Sequence, residues 1–269
     1  MENVGKKQAI KLGIRIGAIF LTALCSLIIV AYYVLSQNLH AYLSDYTIKL
    51  VQAMVNQGVT MVEYELQAGR GEAAILAQAF QVPVSQNQKI EFPDVIAMDY
   101  NELRIVYVSE HGSVASDGRQ RDISRRQDIV AAFGGETAVY GPYYNEEQEF
   151  VICYSAPIKR AGKVVGALCV EKDGYHFCDL IESLQFVDSG ESYIINSEGT
   201  DIAVSRQEHI DWVKSEYNAR KLLKLEDTLE TRSVLELENR GLNGEEGVGT
   251  YYWENSLCYV VYAPIPSVN

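Results

Sequence analysis

Arg125 and Arg126 follow the run Asp122-Ile-Ser124. A Ser or Asp before a helix is a cap, so the two arginines are expected at the start of a short helix, where backbone N–H groups also point outward. Tyr140, Tyr143 and Tyr144 lie in a following strand-like run that could face them, and Glu171 and Asp173 end a later strand of the same expected sheet. An arginine fork, phenolic hydroxyls and a carboxylate together suit a small zwitterion or carboxylic acid: Arg takes the carboxylate, Glu or Asp takes an amine. The competing account makes the same residues solvated charges and core tyrosines, and spacing alone does not separate the two.

Reactive chemistry is harder to find. The sequence has no HExxH, no GxSxG, no phosphate-binding glycine loop and no paired-CxxC zinc pattern. His40, His111, His176 and His209 are scattered without ligand spacing and read as surface or turn residues. Gly134-Gly135-Glu136 is followed by Thr137 and Ala138 and reads as a turn; Trp212 and Trp253 read as core or rim aromatics. Cys153, Cys169 and Cys258 lie in apolar, strand-like runs, Cys178 opens a helix-like run, and Cys25 sits in a long apolar stretch. None has metal-ligand or CxxC spacing, so the cysteines are expected as small buried hydrophobes; a disulfide is not indicated, and no metal or cofactor is implied. An enzyme would need a nucleophile–base pair or a metal cluster, and no catalysis is expected of this chain.

These residues belong to a chain of 269 residues, 48% hydrophobic and 22% charged, long enough for one large domain or two ordinary ones. That balance argues against wholesale disorder or collagen-like structure. The net charge of -13 makes a poor general binder of nucleic acid. The charge is unevenly placed: Lys6, Lys7, Lys11 and Arg15 against Glu2 give residues 1–36 a charge of +3, leaving -16 for the rest. Ile16 to Leu35 carries no charge and ends in Tyr32 and Tyr33. At ~1.5 Å per residue it crosses a ~30 Å hydrocarbon core. With its basic flank before it and no Lys or Arg after it until Lys49, residues 1–15 are expected as a cytoplasmic stub, 16–36 as a membrane span and the bulk as extracytoplasmic. A cleaved signal peptide would have a shorter apolar run and a small-residue cleavage site, and YYVLSQN is a poor one.

The span leads into residues 37–82, expected as one long helix. Apolar residues recur at Leu39, Leu43, Tyr46 and Leu50, then at Val51, Val55, Val59, Val62 and Leu66, in helical steps. Such a rod can pair with its twin in a dimer or pack on a sheet. Gly58, Gly69 and Gly71 weaken it, and a bend is expected near 69–72. After Pro83 the pattern becomes strand-like: Val95–Asp99, Leu103–Ser109, Phe150–Ile158 and Val164–Glu171, the last two flanking the turn KRAGK, with helix-like stretches at 124–133 and 175–184. The same grammar then recurs in order. Gly112-Ser-Val-Ala-Ser116 is echoed by Gly199 to Ser205, Gly135-Glu-Thr137 by Gly244-Glu-Glu246, Gly141-Pro-Tyr-Tyr144 by Gly249-Thr-Tyr-Tyr252, and Tyr154-Ser-Ala-Pro-Ile158 by Val261-Tyr-Ala-Pro-Ile265. Four ordered echoes imply a duplicated unit of about 85–110 residues. The second copy lacks a counterpart to Val164–Glu171, so an edge strand is expected to be missing and the chain to be truncated.

A basic stub, a span, a long outward helix and two tandem PAS-like sheets resemble the double-Cache sensor domains of bacterial receptors. The resemblance runs through Asp122-Ile-Ser-Arg-Arg-Gln-Asp-Ile129, Pro142-Tyr143, Ser155-Ala-Pro-Ile158, Gly162 to Asp173, Gly190-Glu-Ser-Tyr-Ile-Ile-Asn-Ser-Glu-Gly-Thr-Asp-Ile-Ala203 and the terminal APIP run. It implies an α+β chain with a membrane-distal module at 83–186, which takes the ligand, and a membrane-proximal module at 187–269. By position, Arg126 resembles the carboxylate-binding arginine and Tyr143 the tyrosine of the PY turn; Asn145 and Glu171 fall where amino-acid binders carry Asp. Where the family has an aromatic pair after the arginine, this chain has Asp128-Ile129, which removes an aromatic wall.

The resemblance implies an extracytoplasmic small-molecule sensor in the bacterial cell membrane. Its ligand would be an amino acid, an amine or a carboxylate, and Arg125, Arg126, Asp128, Tyr140, Tyr143, Asn145, Glu171 and Asp173 are the candidate contacts. It further implies a homodimer anchored in the lipid bilayer that binds no nucleic acid, with a second span and a cytoplasmic diguanylate cyclase after residue 269. A chemoreceptor or histidine-kinase output is the alternative, and a ligand-free structural or partner-binding module is the alternative from another class.

Overall fold

A computed structural model describes residues 2–80, 104–109, 112–115, 120–186, 190–253 and 256–268. The expected strand Val95–Asp99, the start of the distal module and His111 lie outside them. The chain divides into two compact units, Met1–Val51 and Gln52–Asn269. One helix, α1 (Glu2–Ala79), runs through the first and into the second. The helix from Gly17 to Ala79 contains an 18-residue window with a mean hydropathy of 2.4 and no buried residue, and it is long and apolar enough to cross a membrane.

In the second unit, Gly58, Val62, Leu66, Gly69, Ala73, Leu76 and Ala77 fall on one buried face of α1, in steps of three and four. That face lies on a six-stranded antiparallel sheet ordered β3-β2-β1-β6-β5-β4. The strands are β1 (Arg104–Ser109), β2 (Gly112–Ala115), β3 (Gln120–Arg121), β4 (Ala138–Tyr144), β5 (Phe150–Arg160) and β6 (Lys163–Asp173). Ile105, Tyr107, Ile152, Tyr154, Leu168 and Val170 join the α1 residues in one core. A short helix, α2 (Gln127–Phe133), covers the other face, where Ile129 and Ala132 meet Val106, Val108, Val151, Cys153, Ala167 and Cys169. Burial on both faces explains why β5 and β6 read as unbroken apolar runs instead of alternating ones.

Two expectations from the sequence, a bend near 69–72 and an edge position for the last strand of a module, do not hold. Helix α1 does not break at 69–72. Gly69 gives room instead of a bend: a Cβ there would stand 2.3–2.4 Å from ring atoms of Tyr154, which is 1% exposed in the core. Nor is the last strand of a module an edge, because β6 holds the centre of its sheet, between β1 and β5. In the C-terminal region, β7 (Tyr193–Ile195) pairs with β8 (Asp201–Val204), and β9 (Gly247–Trp253) pairs with β10 (Ser256–Tyr262), as two separate ladders among the described residues. Helices α3 (His176–Ile181), α4 (Ile210–Lys214), α5 (Ala219–Leu223) and α6 (Leu229–Leu242) complete the described set of regular helices. Ala203, Val204 and Val213 extend the α1-side core into this second region.

Gly69 and Gly71 should respond to alanine with opposite signs. In an open helix position, Gly→Ala stabilises by about 0.8–1 kcal/mol. Gly71, with nothing within 4 Å of its would-be Cβ, should behave that way. Gly69→Ala should instead destabilise, by about 1–3 kcal/mol, because the methyl is forced into the Tyr154 ring. Urea unfolding of the two variants in detergent, compared with wild type, checks the opposite signs.

Candidate functional site

The site lies on the sheet face covered by α2. Arg126 is the N-cap residue of that helix, with extended backbone (φ -65°, ψ 140°), and its side chain turns inward over the sheet. The expected cap by Ser124 is not made; its hydroxyl donates to Asp122 at 2.8 Å, and no side chain caps α2.

Arg126 is held on four sides. Its Nε and Nη2 donate to Asp128 Oδ1 and Oδ2 at 2.7 and 2.9 Å, a bidentate fork. Nη1 donates to Tyr143 Oη at 2.6 Å, and Nη2 also reaches Cys169 Sγ at 3.0 Å. The guanidinium carbon lies 5.0 and 5.6 Å from the ring centroids of Tyr140 and Tyr143, within cation–π range. The Arg126 and Asp128 side chains are 9% and 0% exposed. Ser155 donates to Asp128 Oδ2 from β5, closing the carboxylate's shell. Burial works against the Arg126 charge, but Cys169, Asp128 and Cys153 more than reverse it and raise its pKa.

β4 supplies the aromatic wall. Tyr140 and Tyr143 are three residues apart, yet the register shift between them, around Gly141-Pro142, turns both rings toward Arg126. Tyr144 points the other way and meets the Tyr175 hydroxyl at 2.8 Å, so it does not join the site. These rings surround Arg126 on a chain whose sequence lacks the aromatic pair after the arginine.

The β5–β6 register supplies the floor. Cys153 pairs with Glu171 and Ser155 with Cys169, so all four side chains share the α2 face. Cys153 Sγ lies 3.9 Å from Glu171 Oε1 and 3.6 Å from Tyr143 Oη. The donor atoms of Cys153, Cys169 and Glu171 all lie within 4.8 Å of one another. Both cysteines are reduced and buried. Burial pushes the Cys153 thiol up, whereas the hydrogen bond from Cys153, aided by Arg126, draws the Cys169 thiol down. Burial, followed by the neighbouring Cys153, raises the Tyr143 phenol. Arg104 reaches Glu171 Oε2 at 3.5 Å while also pairing with Glu147 and Glu149.

The structure thus brings Arg126, Asp128, Tyr140, Tyr143 and Glu171 together. Arg125 is exposed outside the cluster. Asn145 is spent on its own turn, accepting from Glu147 N and Glu149 N at 3.0 and 2.9 Å and donating to Glu149. Asp173 is exposed and accepts from Tyr175 N at 3.0 Å ahead of α3. Sequence reasoning missed Cys153, Cys169, Ser155 and Arg104; the i, i+2 spacing of Cys169 and Glu171, and of Cys153 and Ser155, was the available signal.

No protein-family model and no curated protein matches the chain. Solved structures do. The extracellular domain of mmHK1S-Z2, described as a histidine kinase, superposes with a TM-score of 0.60 at 14% identity, covering 82% of this chain and 93% of that one. The isoleucine-bound sensory domain of the Campylobacter jejuni chemoreceptor Tlp3 gives 0.57 at 16%, covering 81% and 87%. The ligand-binding domain of the Pseudomonas aeruginosa amino acid chemoreceptor PctB, in complex with L-Arg, gives 0.59 at 15%, covering 82% and 82%. The chain has the fold of an extracellular sensory domain. The double-Cache resemblance read from the sequence holds at the level of fold, as does the α+β class with a long apolar helix and sheets flanked by helices.

A second buried polar group lies on the other ladder. Asp201 at the start of β8 and Glu238 on α6 are 4% and 6% exposed, and Glu238 Oε2 has no hydrogen-bond partner among the described residues. Burial, then Glu238 and Glu191, pushes the Asp201 carboxyl up to about 8; burial pushes Glu238 up to about 7. In the unfolded chain Asp ionises near ~3.9, so between pH ~4 and ~8 the folded protein holds the extra proton. Stability is fully present below ~4 and falls as pH rises through that window, by up to about 1.4 kcal/mol per pH unit for each such carboxyl. Urea midpoints at pH 5 and 8.5 should therefore fall with pH, and Asp201→Asn should flatten the slope.

Proposed function

We propose that the chain is the extracytoplasmic small-molecule sensor region of a membrane-anchored bacterial signalling receptor. The observation that carries this reading is a buried arginine fork, walled by Tyr140 and Tyr143, on one sheet face of a sensory-domain fold. Residues 1–15 form the cytoplasmic stub and 16–36 the span. The support is an apolar stretch in which Ile19, Phe20 and Leu35 are each about two-thirds exposed or more and need lipid to cover them. Residues 37–82 form the extracytoplasmic stalk helix, 83–186 the ligand-binding membrane-distal module and 187–269 the membrane-proximal one. Leu39, Leu43, Tyr46 and Leu50 leave an exposed apolar row on α1, which supports pairing with a second copy.

The ligand class follows from the groups at the site. The solved neighbours include domains bound to isoleucine, L-valine, L-Arg and GABA. An amino acid, amine or carboxylic acid is accordingly the first class to test here, with Arg126, Tyr143 and Glu171 as polar contacts. Binding on the α2 face signals only by favouring one arrangement of the modules over another. The output is cytoplasmic. The sequence resemblance points to a diguanylate cyclase, and the neighbours favour a chemoreceptor or histidine kinase.

A specific observation favours a second reading. Asp128 already gives Arg126 the bidentate carboxylate that a ligand would bring, so an incoming carboxylate must compete with it. A module that binds a partner protein, or no ligand, accommodates that fact.

A thermal-shift screen of the full chain in detergent, against amino acids, amines and carboxylic acids, separates the readings. A ligand at ~100 times its Kd adds about 2.7 kcal/mol, a shift of about 5–11 °C for a domain of this size. A hit lost in Arg126→Ala and weakened in Tyr143→Phe, which removes only a hydroxyl, places the ligand on this face. A hit unaffected by either variant removes both residues from the site, and a blank on folded protein favours the second reading.

A further inference from the structure

With the arginine fork closed by Asp128, the donor groups that converge on the α2 face of the sheet are two thiols and a carboxylate. We propose that Cys153, Cys169 and Glu171 bind a single thiophilic divalent cation of the Zn2+ type at the floor of the sensory face. This deepens the sensor reading and rests on it, since it names the chemical class of what that face takes.

The geometry carries the proposal. The two Sγ atoms and a Glu171 carboxylate oxygen all lie within 4.8 Å of one another, and Cys153 Sγ is 3.9 Å from Oε1. A tetrahedral zinc ion with Zn–S near ~2.3 Å and Zn–O near ~2.1 Å sets its donors about 3.5–3.8 Å apart. Closure by ångström-scale side-chain rotation within the observed register is enough. Two thiols exclude Mg2+ and Ca2+, which take oxygen donors, and select soft cations. The register also disfavours a disulfide. Cys153 stands opposite Glu171 and Cys169 opposite Ser155, so the cysteines are diagonal neighbours. Diagonal Cα atoms in a ladder lie about 7–8 Å apart, at or beyond the reach of an S–S bond.

The surroundings match an outer shell. Arg126 Nη2 donates to Cys169 Sγ at 3.0 Å, stabilising a thiolate, and is itself fixed by Asp128. Arg104 holds Oε2 of Glu171 at 3.5 Å, so Oε1 is the oxygen nearer Cys153. Tyr143 Oη, 3.6 Å from Cys153 Sγ, adds a hydroxyl beside that thiol. Groups of this kind orient metal ligands and tune their basicity. On loading, the thiol protons pass to solvent and no redox step is needed.

The test uses the full chain in detergent under a non-thiol reductant, with Cys25, Cys178 and Cys258 replaced by Ala. Zn2+ is titrated against a chromophoric chelator, and Cd2+ is followed by its thiolate charge-transfer absorption. The expected result is one Zn2+ per chain, a Cd2+ band for two thiolates, and no displacement by Mg2+ or Ca2+. Cys153→Ser and Cys169→Ser should each weaken binding by more than about 100-fold, beyond the 10–100-fold typical of an outer-shell change. If a serine variant fails to fold, the Cd2+ band of the parent protein still decides. A band for fewer than two thiolates, Zn2+ binding that survives in the double serine variant, no binding at micromolar Zn2+, or a Cys153–Cys169 disulfide in the protein as isolated would each overturn the proposal. An organic ligand that stabilises the protein where Zn2+ does not bind removes the cation and keeps the sensor; neither binding removes both.

Discussion

The buried ion pair between Arg126 and Asp128 is the constraint on which the α2 face is organised. A guanidinium taken out of water costs several kcal/mol, and only good geometry with every donor used recovers it. Here the fork closes on Asp128, two further donors go to Tyr143 and Cys169, and Tyr140 and Tyr143 cover the cation with their rings. The pair also ties α2 to the sheet: Asp128 is on the helix, its second partner Ser155 is on β5, and Cys169 is on β6. The proposed sensor and the proposed cation site both rest on that tie, since Arg126 bonds Tyr143 and Cys169 at once.

The opposite face of the sheet has a different task. There α1 docks through small and apolar residues, and Gly69 lets Tyr154 reach the helix backbone. The sheet is therefore a plate between a helix that continues from the apolar N-terminal stretch and a polar cluster under α2. Interdigitated packing of this kind shifts between discrete arrangements rather than deforming smoothly, which is the property a signalling module needs.

The α+β class, the apolar stretch, the long helix α1 and the strands β5 and β6 were legible in the sequence because each depends on local periodicity; of the helical face read there, Val62 and Leu66 are buried whereas Leu39, Leu43, Tyr46 and Leu50 are exposed. So was Arg126 with its tyrosine, through ordered motifs. The bend at Gly69 was misread because helix propensity is local whereas the reason for that glycine is a ring arriving from β5. The thiol floor was illegible for a topological reason. Ala161 and Gly162 make a tight turn at positive φ, and the pairs Arg160–Lys163 and Lys159–Val164 follow directly from it. A bulge then shifts the ladder by one residue at Ile158–Gly166, which puts Cys153 and Cys169 on the same face. Unbulged, the hairpin would set Cys153 across from Val170 and split the two thiols between faces. The pairing of Arg126 with Asp128 was hidden differently, since residues two apart at a helix start face each other only when the first is extended.

Arg126 and Asp128 act as one unit. A double-mutant cycle with Arg126→Ala, Asp128→Ala and the double variant, read as urea unfolding free energies of the full chain, tests it most directly. Removing one partner strands the other charge and should cost about 3–5 kcal/mol. Removing both should cost less than the sum of the single losses, with a coupling of about 2–3 kcal/mol. Losses that add within about 0.5 kcal/mol would show two independent residues and contradict the account.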